Sequence, residues 1–190
     1  MIRYRNHIIT VLVLLLTACG HSPRSIMNSL MYRKIDYLSG GKVLTDSVER
    51  YSPVKAQIKI VSYVDSLVCT RCLANYLNAA SEYVDSFNTD SVIYLCVLQK
   101  RSIEETQNMI NQVNIKNVVV INDAYDHYLE KNKIDRIPAL YTSFLLNSND
   151  EIVSIGDPLR NLDIRLLFDK RIRGLIENGG ENLLQTNTKK

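Results

Sequence analysis

Long apolar runs, an excess of one charge and a second cysteine pair are all missing from this sequence, and each absence removes a class of function. The apolar stretch near the N-terminus, Ile8 to Leu16, is shorter than the roughly 20 residues a helix needs to cross a bilayer, which excludes a permanent transmembrane helix there. The formal charge of +3 carries little weight, because Arg3 and Arg5 belong to a segment expected to be removed; without them 21 of the 23 basic residues face 20 acidic ones. A chain so balanced gives no footing for nucleic acid. Of the four cysteines only Cys69 and Cys72 are close in sequence. A single Cys-x-x-Cys is half a zinc site, and His21, His127 and Cys96 are scattered without the spacing of the other half, so neither a metal nor another cofactor is called for. Repeats and low-complexity segments are absent as well. The 190 residues, 46% hydrophobic and 23% charged, suit one globular domain with short extensions.

What is present starts with a leader. Arg3 and Arg5 precede the apolar run, and Leu16-Thr17-Ala18-Cys19-Gly20 follows it. This resembles the lipobox of bacterial lipoproteins, in which a signal peptidase cuts before the cysteine and that cysteine is acylated. The resemblance implies a leader over residues 1–18, a mature chain beginning at Cys19, and acyl chains that hold it to a lipid bilayer by about 0.8 kcal/mol per buried methylene. An ordinary signal peptide is the competing reading, and both imply export.

The stretch that organises the rest is Val64-Asp65-Ser66-Leu67-Val68-Cys69-Thr70-Arg71-Cys72, where an apolar strand runs out and an amphipathic helix begins. Cysteines at i and i+3 share one helix face one turn apart, close enough for a disulfide. Cys69 would sit where backbone N–H groups lack intrahelical partners and the helix dipole is positive; both favour thiolate over thiol, and Arg71 pushes the same way. Cys72, one turn in, is expected to be better covered. Outside the cytoplasm a nearby thiol pair oxidises unless something keeps it reduced, so this one is either a fixed staple or a redox couple. Cys96, odd once Cys19 is acylated, reads as a small core residue within Val92–Leu98.

Along the chain, residues 19–55 read as tether and extension, with helix-compatible apolar positions from Ser25 to Leu38 and a short strand at Lys42-Val43-Leu44. From Ala56 a β-branched strand leads into the cysteine helix, whose Leu73, Tyr76, Leu77, Ala80, Tyr83, Val84 and Phe87 form one apolar face. Val92–Leu98 suits a central strand covered on both faces. Ser102 has the capping-box spacing for a helix from Ile103 to about Val113. Asn117–Ile121 is another buried strand, and Asn122 or Asp123 can cap the short helix after it. Ile137-Pro138 leads to a hairpin of Ala139–Leu146 and Glu151–Ile155, and Asn161 caps a last helix ending at Asn178-Gly179-Gly180, before a polar tail, residues 179–190. Alternating β and α units predict a parallel sheet made mixed by the hairpin.

Across roughly Ala56 to Ile176 these features resemble the thioredoxin superfamily, in particular the membrane-tethered, TlpA-like thioredoxins of the bacterial envelope. The resemblance implies an α/β thioredoxin-like fold over residues 56–178, a mixed central sheet flanked by helices, with an additional βα unit at Asn114–Glu130. It further implies Cys69 as nucleophile, Cys72 as resolving thiol and Pro138, after Ile137, as a cis-proline facing them; an ordinary trans proline opening a strand is the alternative. Its expected partners are thiols and disulfides of envelope proteins and a membrane electron donor, on the periplasmic side. Two departures stand out. Val68 takes the place of the tryptophan usual before the first cysteine, in a chain with no tryptophan at all, and Tyr63 takes the place of a buried acid six residues before Cys69. Asp65, the nearest carboxylate in sequence, reads as a cap of the loop or helix, with proton transfer the alternative. The same fold without redox turnover, as a binding module with a fixed disulfide, is the second reading.

Overall fold

A computed structural model describes residues 23–38, 40–45, 56–134 and 143–181. The chain divides after Leu30 into two units. The first is represented by α1 (Pro23–Leu30), which starts on a proline, whose missing N–H costs nothing in a first turn.

The second unit is built on six strands among the described residues: β1 (Lys42–Val43), β2 (Ile58–Val64), β3 (Val92–Gln99), β4 (Val118–Asp123), β5 (Ser143–Leu146) and β6 (Ile152–Ile155). Their order across the sheet is β1-β4-β3-β2-β5-β6. β2, β3 and β4 run parallel, with Ile58 opposite Val92 and Tyr94 opposite Val118, while β5, β6 and β1 pair antiparallel. The mixed sheet and the added βα unit, β4 followed by α4 (His127–Asn132), are as the sequence implies. β3 is buried along all of Val92–Leu98, the pattern of a central strand with helices on both faces.

One face of the sheet carries the main core. Leu73, Leu77, Ala80 and Val84 of α2 (Thr70–Asp85) and Phe168, Ile172 and Leu175 of α5 (Leu162–Glu177) pack there with Ile58, Ile60, Tyr94, Cys96 and Leu98, together with Met109 and Ile110 of α3 (Ile103–Ile110). Caps set the helix starts. Asn161 Oδ1 accepts from Ile164 N at 3.0 Å, Ser102 Oγ from Glu105 N at 3.4 Å, and both Asp123 carboxylate oxygens take amides entering α4. On the opposite face Tyr128 stacks on Tyr63 with ring centroids 5.5 Å apart, and Tyr37 lies over the buried Lys59 ammonium.

The helix expected to continue to Leu38 stops at Leu30. Tyr32 is left-handed (φ 65°), and the chain then runs extended: Tyr32 N donates to Ile152 O, Ile152 N to Arg33 O, and Ile35 N to Asp150 O. Asn132 clasps this segment, accepting from Asp36 N and donating to Asp36 O, each at 2.8 Å. Beyond it β1 pairs with β4. Residues 31–38 and 40–45, expected as extension with a short strand at Lys42-Val43-Leu44, therefore line both edges of the sheet, covering backbone groups that would otherwise be open to pairing.

Candidate functional site: a disulfide at a helix N-terminus

β2 ends at Val64, and the turn Asp65–Val68 carries the chain into α2. Asp65 organises that turn: its Oδ1 accepts from Leu67 N at 2.7 Å, its carbonyl accepts from Val68 N at 3.2 Å, and Ser66 Oγ donates to the same carboxylate. Capping of the loop is thus what this carboxylate does here. Val68 packs against the core, whereas Leu67, beside it, is 90% exposed.

Cys69 is the N-cap of α2. Its Sγ accepts from Cys72 N at 3.0 Å, and its carbonyl accepts from Leu73 N at 2.9 Å. An orphan amide of the helix start is thereby aimed at sulfur, the arrangement that stabilises a thiolate once the bond opens. Cys69 and Cys72 form a disulfide with Cα atoms 5.1 Å apart. Both are exposed, Cys72 as well as Cys69, contrary to the expectation that the second would be better covered. The reason is rotational: the face of α2 that enters the core is set by Leu73, Leu77, Ala80 and Val84, and Cys72 falls outside it. Arg71, between the two, is exposed.

Tyr63 is tied up elsewhere. Its hydroxyl donates to Asp126 at 3.0 Å, and burial, reinforced by that carboxylate, pushes the phenol well above its ordinary value. Burial works to raise Asp126, but hydrogen bonds from Lys100, Gln99 and Tyr63 outweigh it and hold that acid below the usual carboxylate value. Cys96 is fully buried; desolvation first, then the Asp157 charge, push its thiol far up, with Arg101 opposing. It is a buried core residue, as its run implies.

Two features escaped the sequence. A chain of buried hydroxyls runs from Ser143 to Ser62 (2.7 Å), Tyr94 (2.6 Å) and Tyr76 (2.9 Å), and from there to Asp157 at 3.3 Å. Asp157 is 3% exposed, and burial raises its carboxyl despite hydrogen bonds from Leu159 and Tyr76 and the charge of Arg160. The chain meets α2 on the cysteine face, Tyr76 lying seven residues after Cys69 and four after Cys72. Arg101 is the other: its guanidinium donates to Ser66 O at 3.2 Å. Neither was legible, although a tyrosine and a serine in otherwise apolar positions were the available hint.

Ile137, Pro138 and Cys19 lie outside the described residues. Ser143, the first described residue after the Ile137-Pro138 step, pairs with Ser62 of β2. Among the described residues no three histidine, cysteine or acidic side chains converge as metal ligands, and no helix is long and apolar enough to cross a membrane.

A Cys-x-x-Cys opening the helix that follows a parallel strand, in a sheet closed by an antiparallel hairpin and a final helix, defines a thioredoxin-like fold. Solved structures agree. The chain is similar to a candidate thiol:disulfide interchange protein DsbE from Chlorobium tepidum (TM-score 0.53, 14% identity, 76% of this chain and 99% of that one). It is also similar to a domain of a possible thiol-disulfide isomerase from Cytophaga hutchinsonii (0.53, 18%, 76% and 97%) and to a thioredoxin-like protein from Porphyromonas gingivalis (0.50, 17%, 80% and 97%). No protein-family model and no curated protein matches the sequence. The likeness is one of fold.

Proposed function

We propose that the protein is a thiol-disulfide oxidoreductase of the bacterial envelope, tethered through an acylated Cys19 and facing the periplasm. The observation that carries this reading is the exposed Cys69–Cys72 disulfide at the start of α2, with the Cys72 amide aimed at Cys69 sulfur. In the reduced protein the Cys69 thiolate attacks one sulfur of a substrate disulfide, forming a mixed disulfide and releasing the other substrate sulfur as thiolate. Cys72, losing its proton, attacks Cys69 sulfur, closes the intramolecular bond and releases the second substrate sulfur. The substrate gains two electrons, the pair loses two, and a membrane donor of dithiol chemistry restores them. Pro138, after Ile137, would present main-chain groups to an extended substrate beside the sulfurs.

The test is Cys72→Ala in the tethered protein. It should accumulate a mixed disulfide between Cys69 and an envelope protein, and the wild-type pair should equilibrate with glutathione. A disulfide below about −300 mV with no trapped partner would sink the enzyme reading. In that case the same fold serves as a redox-inactive binding module, a reading favoured by one observation: the Tyr63 hydroxyl, six residues before Cys69, is committed to Asp126. The tether is tested separately by Cys19→Ser, which should lose lipid labelling and either stay unprocessed or become soluble; membrane retention at wild-type levels with no labelled lipid in either form would reject it.

A further inference from the structure

The turn between β3 and α3 holds Lys100 and Arg101, and β4 fixes it from two sides. Lys100, left-handed at φ 42°, donates its amide to Asp123 O at 2.9 Å and pairs its ammonium with Asp126. Asn122, 2% exposed, donates from Nδ2 to Arg101 O at 3.2 Å. With its backbone so held, the half-buried Arg101 side chain reaches back 35 residues and donates from Nη2 to Ser66 O at 3.2 Å. Two amides of that turn are already held by Asp65, Leu67 N through its carboxylate and Val68 N through its carbonyl. Arg101 therefore completes the turn that delivers Cys69 to its position as N-cap.

The arginine does this at a cost. Its Nε is buried with no hydrogen-bond partner among the described residues, which forfeits about 1–3 kcal/mol that a neutral side chain of similar shape would not lose. What a neutral side chain cannot supply is charge. A guanidinium stays protonated at any working pH, and this one is anchored on the turn three residues before Cys69.

We propose that Arg101 is a positioning residue for the Cys69–Cys72 pair: it fixes the turn leading into Cys69 and keeps a permanent cation on that turn, favouring the reduced thiolate and raising the reduction potential. This rests on the pair being the working site. A cation that stabilises thiolate stabilises the reduced state, so removing it shifts the pair toward disulfide.

The experiment measures the disulfide fraction of full-length protein across dithiothreitol redox buffers at pH 7, for wild type, R101Q, R101M and R101K. R101Q, which keeps a donor for Ser66 O and loses the charge, should shift the equilibrium toward disulfide about tenfold, equivalent to about 30 mV. R101M should shift it at least as far, and R101K, whose ammonium keeps the charge, should stay within about twofold of wild type. Alkylation of Cys69 in reduced R101Q should also move to higher pH. Wild-type behaviour in R101Q overturns the proposal, as does an R101K shift equal to that of R101Q; R101M reads the same equilibrium should R101Q not fold. The absolute wild-type potential tests the exchange reading, whereas the difference between variants tests Arg101. Dithiothreitol registers that difference even where glutathione cannot open the bond, so the two failures are distinguishable.

Discussion

Asp157 shows what burying a single carboxylate costs. Its carboxylate sits 3% exposed among Tyr76, Tyr94 and Cys96, and among the described residues Arg160 Nε, at 3.4 Å, is its one charged partner. Desolvation outweighs the favourable hydrogen bonds and raises the folded-state pKa above the unfolded value. For an acid shifted in that direction, the folded state binds its proton more tightly than the unfolded state does. Its contribution to stability is then greatest in acid and is lost as pH rises from the ordinary carboxylate range through the folded-state pKa. Asp157→Asn, neutral at every pH and able to accept from Leu159 N and donate toward Tyr76, should raise the melting temperature at pH 7. The advantage over wild type should shrink as pH falls toward 4, the ordinary carboxylate value. A variant less stable than wild type at both pH values would show instead that the Arg160 contact, not desolvation, dominates.

Among elements, the hairpin β5–β6 and the extended segment at Tyr32–Ile35 meet on an ion pair whose lysine is buried and whose aspartate is 36% exposed. Lys59 lies on central strand β2 with its side chain 2% exposed, 2.8 Å from Asp150 in the hairpin turn, and Tyr37 both covers the ammonium and donates to the same carboxylate at 3.3 Å. Removing one partner of such a pair leaves a charge buried without compensation, whereas replacing the lysine by an apolar side chain removes both the charge and its desolvation cost. Because solvent reaches the partly exposed Asp150, Asp150→Ala should destabilise by about 2 kcal/mol in denaturant unfolding, below the value for a fully buried pair, and Lys59→Met by less than half of that. Equal losses would mean that Lys59 contributes packing alone. The same region shows what the sequence could not convey. β2, α2, β3 and α5 were legible because their periodicities, caps and β-branched runs are local properties, readable from Ile58–Val64 or from Asn161 ahead of α5. Residues 31–38 were not, and β1, though legible as a strand at Lys42-Val43-Leu44, did not show its partner, because what orders this stretch is pairing with Asp150, Ile152 and β4, far along the chain, and the clasp of Asn132, 96 residues away. The candidate site divides in the same way. Cys69 and Cys72 announce themselves by spacing, but Arg101 meets Ser66 across 35 residues and Asp157 meets Tyr76 across 81.

For the whole molecule, thermodynamic linkage joins folding to redox chemistry: whatever the Cys69–Cys72 bond adds to the stability of the fold, the fold adds to the stability of the bond. A fixed staple and an exchange couple therefore predict different melting behaviour. The bond closes only the first turn of α2, a turn already held by Leu73 N on Cys69 O and by Cys72 N on Cys69 Sγ. Both cysteines are exposed, and the helix is anchored to the sheet independently by Leu73, Leu77, Ala80 and Val84. Chain entropy for so short a loop gives about 2 kcal/mol at most, well under the value for bonds that close long loops. In a chain of this length 1 kcal/mol corresponds to about 2–4 °C, so the reduced protein should melt no more than about 8 °C below the oxidised one. Circular dichroism melts of the two forms, with thiol content verified before and after, measure the difference directly. A fall of more than about 15 °C on reduction would mean that the fold depends on the bond, and by linkage that the bond is too stable to serve as a donor or acceptor in exchange. A small difference leaves the pair free to cycle while the sheet and α2 stay in place, which is what repeated turnover at one helix end requires.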